Sequence, residues 1–466
     1  MKKSIFFVLT IFIMTTTVYA GKTVAGHGFG KTEKEAKSEA LADLSQSIHV
    51  NIRSEFTDKT LVEARGVKKT SEKILNMESD LPILGAHYTI FPQSDGYDAN
   101  AVLKDDSLVI YERELRNALK DIQQNLKAVE KSRSASEKAR LLKSTYSKLT
   151  QFIKYRTVAQ FFSSKNIPEL KITKTQILNM IKKIESKADT LKFGLKRLSK
   201  DFKINSVYIY PPSTRNSNEV TQFASVVKDV LSTFIPASNT PDKAGFFLVG
   251  EYKILKDGID LTYTLTDKEN NTLKTSVVSF LPSAYRNYDY KPKTVDFDKL
   301  IKTGLVVSSD FRADIITDIG RKNLLFKKGN ALKLMVKMTK PGYFYLLVHS
   351  FKKGEKYSYL INLNDSRGDR KFIRYVNADE VNKWIVLGEF EVVPPYGVET
   401  MQMIASTKDL VDKVPTNHLD KSTQLYKLGG NPIKNVIITR GLMLKKPKNS
   451  KKAINAESVL TFTTMK

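Results

Sequence analysis

The spacing of apolar and polar residues near the N-terminus predicts a small α/β domain over residues 21–112. Thr23–Phe29 has the pattern of a short strand that ends in a glycine turn. Thr32 and Glu35 have the spacing of a capping box, which predicts a helix whose apolar positions continue through Leu44. The remaining predicted elements are a strand at Ile48–Ile52, a helix near Val62–Met77, a strand at Ile83–Phe91 and a strand at Tyr97–Leu103.

Two apolar stripes with heptad-like spacing follow this domain. Apolar residues recur every three or four positions from Leu115 to Val129, and again from Ile177 to Leu198. Two such stripes that face each other would form a coiled-coil-like helical hairpin, which predicts a spacer over residues 113–203. Helices that pack their stripes onto a neighbouring domain are the open alternative.

Residues 204–303 show the pattern of a second small α/β domain. Val207–Tyr210 predicts a strand, and an amphipathic helix begins at Ser217 and ends before Pro236. Three strands separated by polar turns then occupy residues 246–280. The predicted order is βαβββ, with the last three strands forming an antiparallel meander.

The pattern from residue 304 to residue 466 is almost entirely that of β-strands separated by glycine-containing turns. A β-sandwich or a β-barrel is the economical interpretation. The predicted strands are Ala331–Met338, Tyr343–Ser350, Tyr357–Ile361, Ile385–Val393, Thr400–Ser406, Val436–Arg440 and Val459–Thr464. The whole chain is therefore expected to have an α+β multidomain fold: two small α/β domains separated by the helical hairpin, then the all-β domain.

The first twenty residues have the features of a secretory signal peptide. Lys2 and Lys3 precede an apolar run over Ile5–Met14, and small residues end at Ala20. The run is about half the length that spans a bilayer, so we expect cleavage after Ala20 and export of a mature chain that begins at Gly21. The expected location is the periplasm or the outer membrane, with the protein peripheral to the membrane at most.

Composition adds a strong positive charge and an absence of thiols. The chain of 466 residues has no cysteine and carries 76 Lys and Arg against 49 Asp and Glu, a net charge of +27. The lack of cysteine excludes disulfides, cysteine-ligated metals and a lipid anchor on cysteine. Only 16 of the cations are Arg, and the lysines are dispersed, which favours a solvated surface or a loose anionic partner over nucleic-acid recognition.

The sequence offers formal motifs but no persuasive catalytic, cofactor-binding or metal-binding residues. Ala25–Thr32 fits a relaxed phosphate-binding loop, yet too short a strand precedes it and no magnesium-binding partner follows. Arg367–Asp369 spells an adhesion tripeptide that chance readily produces. The five histidines lack ligand spacing: His27, His49, His87, His349 and His418. We therefore expect neither an enzyme nor a cofactor.

Three blocks of sequence resemble domains of bacterial envelope proteins. Ala25–Gly28, with the alanine-rich helix after it, resembles the N-terminal domain shared by Helicobacter-type outer-membrane lipoproteins and FlgT-like flagellar accessory proteins. Val207–Phe280 is similar to the TolB N-terminal type of periplasmic α/β domain. Asn323–Gly329, Pro341–Leu346 and Val393–Thr400 look like an uncharacterised β domain common in envelope proteins. The resemblance implies a non-catalytic role in the envelope. It also implies that the residues that match a phosphate-binding loop form a strand-to-helix turn.

The sequence thus predicts a non-enzymatic scaffold or accessory protein of an envelope assembly, of a flagellar or secretory kind. Its expected partners are envelope proteins or further copies of itself, and not nucleic acid. The alternative is a module that binds anionic envelope polymers, lipopolysaccharide or cell wall, through its dispersed lysines.

Overall fold

A computed structural model describes residues 22–62, 81–94, 96–163, 167–241, 243–303, 311–352, 355–392, 394–444 and 454–466. These residues form several α-helices and four β-sheets, so the fold is α+β. No sheet in the described ranges closes into a barrel.

The N-terminal unit, residues 22–184, is a three-stranded antiparallel sheet covered by helices. Its sheet has the order β1-β3-β2. Its elements are β1 Thr23–Gly30, α1 Glu33–Val62, β2 His87–Gln93, β3 Gly96–Lys104, α2 Leu108–Lys131, α3 Ala135–Phe162 and α4 Lys174–Ile184. The predicted capping box is present, because the Thr32 and Glu35 side chains each accept a hydrogen bond from the other's backbone N–H.

The strand predicted at Ile48–Ile52 is wrong, because these residues continue helix α1. Ile48 and Ile52 lie one helical turn apart and extend the buried stripe of Ala36, Ala40 and Leu44. Their spacing of four fits a helix as well as their alternation fits a strand, and the capped helix before them simply continues. Of the helix predicted near Val62–Met77, residues 63–77 lie outside the described residues.

Alternate glycines let α1 approach β1 closely. Gly26, Gly28 and Gly30 share one face of β1, and a Cβ at Gly28 would lie 2.2 Å from the backbone nitrogen of Ala40. A Cβ at Gly26 would similarly lie 2.2 Å from the Leu44 nitrogen. The glycines of the phosphate-loop match therefore lie within a strand and serve helix packing.

The two heptad-like stripes do not pair with each other, so the predicted hairpin is wrong. Helix α2 packs on α3, which packs in turn on α4. Ile177 and Ile181 of the second stripe belong to the N-terminal core, whereas Leu191, Leu195 and Leu198 belong to the next core along the chain. The alternative, helices that pack onto neighbouring units, is the observed arrangement.

The central unit, residues 187–291, follows the predicted order βαβββ after one preceding helix, except that a two-residue strand, β5, is added before the second helix. Its five-stranded sheet has the order β4-β6-β7-β8 with the short β5 also beside β6; β4 and β5 pair with β6 in parallel, and the other pairs are antiparallel. Its elements are α5 Leu191–Ser199, β4 Val207–Ile209, β5 Ser213–Thr214, α6 Gln222–Ser232, β6 Phe246–Leu255, β7 Gly258–Thr266 and β8 Thr272–Phe280.

The C-terminal unit, residues 292–466, contains an eight-stranded and a three-stranded sheet that contribute to one core. The large sheet has the order β10-β19-β16-β12-β13-β18-β17 with β14 beside β12, and the small one has the order β15-β11-β9. Its strands are β9 Ala313–Thr317, β10 Leu324–Lys327, β11 Ala331–Met338, β12 Gly342–Lys352, β13 Glu355–Leu360, β14 Arg374–Val376, β15 Ile385–Glu391, β16 Gly397–Ser406, β17 Asn417–Asp420, β18 Leu425–Leu428 and β19 Asn455–Met465.

Two helices, α7 Val295–Thr303 and α8 Pro432–Leu444, pack on the large sheet, and α8 replaces the strand predicted at Val436–Arg440. That prediction followed the β-branched residues. The Asn431 side chain instead accepts the backbone N–H of Lys434 at 3.0 Å, as a helix N-cap does, and Pro432 lacks the N–H that a helix start leaves unpaired.

Helix α3 joins the N-terminal and central units by covering the free edge of β8. The Ser147 hydroxyl accepts the Thr275 backbone N–H at 2.7 Å, and the Gln151 side-chain oxygen accepts that of Thr272 at 2.7 Å. Lys143 is buried beside them and pairs with Asp201 at 2.9 Å. An edge that could pair with another strand is thereby closed.

Candidate functional site

The most concentrated charges in the described residues lie between α1 and the small C-terminal sheet. Asp43 of α1 is buried and accepts hydrogen bonds from the Arg312 guanidinium at 2.7 Å and from the His27 backbone N–H at 2.8 Å. The Lys337 ammonium lies 3.7 Å from the same carboxylate. Ser47, one turn further along α1, contacts Arg312 and donates to the Ala25 carbonyl. These side chains close the free edge of β1.

A second carboxylate, Asp314, extends the cluster. Its side chain is buried, pairs with Arg321 at 3.1 Å and accepts a hydrogen bond from Gln46 of α1. Burial raises the pKa of Asp314, but the charges of Arg321, Lys337 and Arg312 outweigh it, so the pKa lies below its ordinary value. Asp314 therefore stays ionised and holds cations, which suits a structural contact and not proton transfer.

Trp384, directly before strand β15 of the small sheet, completes this contact. Its indole N–H donates to the Glu39 carboxylate at 2.7 Å, and the Lys337 ammonium lies 4.6 Å from the ring centroid. Lys383 lies over the Phe29 ring at 4.9 Å. The cluster thus fastens the first helix to the C-terminal unit through groups up to 345 residues apart in sequence.

A second polar constellation crosses the large sheet in a diagonal line of four strands. Ser358 lies 2.8 Å from His349 Nδ1, His349 Nε2 lies 2.9 Å from Gln402 Oε1, and the Gln402 amide donates to Glu457 at 2.6 Å. Because Gln402 presents its oxygen, a neutral His349 carries its proton on Nε2 and accepts from the Ser358 hydroxyl.

This line contains a hydroxyl and an imidazole, the groups that serve as nucleophile and base in many enzymes, but neither is accessible to solvent. Ser358, His349 and Gln402 have no solvent-exposed surface, and the Phe297 ring of α7 lies 5.1 Å from the imidazole. The Ser358 hydroxyl is therefore closed off from solvent in the described structure. The geometry is that of a satisfied polar network within a sheet.

A buried carboxylate pair lies where α7 begins. Glu219 accepts the backbone N–H groups of Lys293 at 2.6 Å and Thr294 at 3.1 Å, and the Thr294 hydroxyl donates to Asp298 at 2.8 Å. Burial raises the pKa of Glu219 above its ordinary value of 4.5, and the Asp298 charge acts in the same direction against those hydrogen bonds. The pair anchors the segment that connects the central unit to α7.

The histidines and the tripeptide at residues 367–369 do not come together in one site of the described structure. Of the histidines, His349 lies in the polar line, and His27 takes part in the first cluster only through its backbone. Arg367, Gly368 and Asp369 are exposed at the start of a short 3₁₀ turn. Within the described ranges, no three His, Asp or Glu side chains form a group suited to a metal ion.

Sequence reasoning missed the Asp43 cluster. One local signal exists, since Asp43 and Ser47 are polar residues adjacent to the apolar stripe of α1. Nothing in the sequence connects them to Arg312, which is 269 positions from Asp43.

Apolar side chains form the outward-facing surfaces of three elements. On α8, Ile433, Ile437 and Ile438 are 43%, 57% and 43% exposed. On the edge strand β2, Tyr88 and Phe91 are exposed, and on the edge strand β15, Val386 and Phe390 are exposed. Exposed apolar patches and open strand edges are typical of surfaces that meet another molecule.

Comparisons with protein-family models, with curated proteins and with solved structures find no match to this chain. None of the helices in the described ranges has both the length and the hydropathy that a bilayer crossing requires.

Proposed function

We propose that this protein is a non-enzymatic, exported scaffold or accessory protein of a cell-envelope assembly. One observation carries the proposal. The buried charges at the contacts between units hold those units together, while apolar side chains on the edge strands β2 and β15 face outward. A chain that uses its charged groups internally and presents apolar edges is suited to docking other proteins.

The sequence patterns agree with this role. In this proposal the chain consists of two small α/β units and a C-terminal β unit, as the resemblance to envelope lipoproteins, FlgT-like proteins and TolB-like domains implies. The segment over residues 1–20 directs export, and cleavage follows Ala20. The partners are envelope proteins or further copies of the chain in a flagellar or secretory assembly.

The edge strand β2 is the natural place for protein docking. It pairs with β3 on one side only, and its other side is open in the described structure. Tyr88 and Phe91 point to opposite faces of that edge, so an added strand would contact an aromatic ring on either face.

In-cell photo-crosslinking tests the proposal. A photoreactive residue at Phe91, which is 53% exposed, should give a discrete adduct with an envelope protein or a second copy in the envelope fraction. The matched control is Val109 of α2, which is 67% exposed on a helix and should give no such adduct. Retention of the native protein in the cytoplasm, or equal labelling at both positions, would refute the role.

The second candidate is binding of anionic envelope polymers, favoured by the net charge of +27. Salt separates the two candidates. Binding through dispersed lysines should weaken steeply as ionic strength rises, whereas docking through β2 should not.

A further inference from the structure

Helix α8 packs on the large sheet with its polar side inward. Asn435 and Thr439 are 1% and 0% exposed, and the Thr439 hydroxyl donates to the Asn435 carbonyl at 2.8 Å. Val436 between them packs with Phe297 and Ile301 of α7. This inward face meets a sheet surface that is itself polar, with Thr400 and Thr461 buried in it.

The outward side of the same helix is apolar and basic. Ile433, Lys434, Ile437 and Ile438 are all exposed, at spacings of one and four that place them on one face. A helix at a protein surface normally has the opposite distribution. Within the part of the chain that the structure describes, no side chain covers these three isoleucines.

The charge around α8 indicates what that face meets. Between Asp420 and Glu457 the sequence contains nine Lys or Arg and no Asp or Glu. The chain as a whole has 49 acidic residues in 466, or about one in ten, so a stretch of this length would ordinarily contain several acids. In the sequence, the helix is therefore flanked by cations, with no acid between Asp420 and Glu457.

We propose that α8 is a membrane-surface helix that lies on an anionic lipid bilayer, with Ile433, Ile437 and Ile438 in the acyl-chain boundary and Lys434 at the phosphates. Isoleucine insertion combined with cations is the pattern of an interfacial helix. A purely apolar protein partner would leave the missing acids unexplained. The helix of 13 residues is about 20 Å long, too short to cross a hydrocarbon core of about 30 Å.

The packing of α8 lets it act without unfolding. Its inner face stays attached through Val436, and Asn431 caps its start, so the isoleucines are presented by a helix that is already formed. The entropic cost of ordering the helix is then offset by folding and does not reduce the affinity for lipid. This inference goes beyond the scaffold role and depends on neither export nor the identity of any protein partner.

Vesicle sedimentation tests the proposal on the chain from Gly21 to Lys466. We expect it to bind vesicles of phosphatidylglycerol and phosphatidylcholine in equal parts at least tenfold more tightly than vesicles of phosphatidylcholine alone. The Ile437→Ser/Ile438→Ser double variant should lose about tenfold or more of the binding to the anionic vesicles, because two isoleucines no longer enter the lipid. Val109→Ser, at an exposed site on α2, should bind as the unchanged protein does.

A fluorescence measurement locates the contact independently of affinity. Against the emission of Trp384 in the unchanged protein, Ile437→Trp should add a blue-shifted component that brominated lipids quench, whereas Val109→Trp should add a component that shows neither change. Absence of binding to the anionic vesicles, equal binding to neutral ones, unchanged binding of the double variant, or an emission from the Ile437→Trp variant that lipid does not alter would overturn the proposal.

Discussion

Helices α1 and α8 both pack on β-sheets, but they do so with opposite faces. Helix α1 buries Ala36, Ala40 and Leu44 against a strand of alternating glycines, and its contact is apolar and very close. Helix α8 buries Asn435 and Thr439 and leaves isoleucines outside.

The difference shows which of the two helices has its apolar face covered by other elements of the described structure. The apolar stripe of α1 is buried from Ala36 to Ile52, and Asp43 beside it pairs with Arg312 of the C-terminal unit. The apolar stripe of α8 has no cover in the described structure. A substitution on the α1 contact should therefore destabilise the fold, and one on the outer face of α8 should alter only what the protein binds.

The largest effect is expected where α1 meets β1. Gly28→Ala would place a methyl group 2.2 Å from the Ala40 nitrogen and 2.5 Å from the Ala36 carbonyl oxygen, and both are backbone atoms that cannot rotate away. We expect a loss of about 4 kcal/mol or more in the free energy of unfolding, measured by urea denaturation. Gly429→Ala is the control, because its Cβ would meet nothing within 4 Å, and a similar loss there would contradict the explanation.

The charged border of α1 should give the next largest effect. Asp43→Asn leaves Arg312 and Lys337 facing a neutral group in a buried site, which should cost about 3 kcal/mol of stability. The control Asp121→Asn removes an exposed pair with Lys148 and should cost less than about 0.5 kcal/mol. A double-mutant cycle of Asp43→Asn with Arg312→Met should show coupling between the two sites, and strict additivity would count against the cluster.

The contributions of Asp314 and Glu219 to the free energy of unfolding should depend on pH with opposite signs. The pKa of Asp314, beside α1, is lowered, so its stabilising contribution is present above 3.8 and is lost as pH falls through its folded-state pKa. The pKa of Glu219, beside α7, is raised, so its contribution is present below 4.5 and is lost as pH rises through its folded-state pKa.

Unfolding measured between about pH 3 and pH 7 separates these two groups. Asp314→Asn should lose more stability, relative to the unchanged protein, as pH rises through this range. Glu219→Gln should move in the other direction and become relatively more stable. If the stability of both variants changed with pH in the same direction, the direction of the pKa shift given for Asp314 or for Glu219 would be wrong.

A moderate effect is expected at the edge that α3 covers. Ser147→Ala leaves the backbone N–H of Thr275 without its acceptor, which should cost about 1 to 2 kcal/mol. Hydrogen exchange at the Thr275 amide should accelerate. In Thr157→Ala, an exposed helix hydroxyl that bonds only its own helix is removed, and neither quantity should change appreciably.

The smallest effect on stability is expected on the outer face of α8. Ile437→Lys should change the free energy of unfolding by less than about 0.5 kcal/mol, since the side chain is 57% exposed. The adjacent Val436 is fully buried, and Val436→Ala should cost about 2 kcal/mol. Equal effects at these neighbouring positions would mean that α8 does not pack as described.

Several elements were predictable because their signals are local. The capping box at Thr32 and Glu35, the helix and three-strand meander of the central unit, and four of the eight strands of the large sheet follow from spacing and turn residues alone. The failures at Ile48–Ile52 and Val436–Arg440 share one cause. Short β-branched runs fit both a strand and one face of a helix, and the choice depends on the cap before the run and on the surface against which it packs.

The sequence by itself determined the class of the fold, the capped start of the first helix, the high positive charge and the lack of thiol chemistry. Only the tertiary structure decided that the glycines of β1 receive a helix, that the second apolar stripe is divided between two cores, and that α8 turns its isoleucines outward. Local periodicity indicates that a stripe is apolar, but whether another element of the chain covers it depends on contacts between separate elements, which no local pattern encodes.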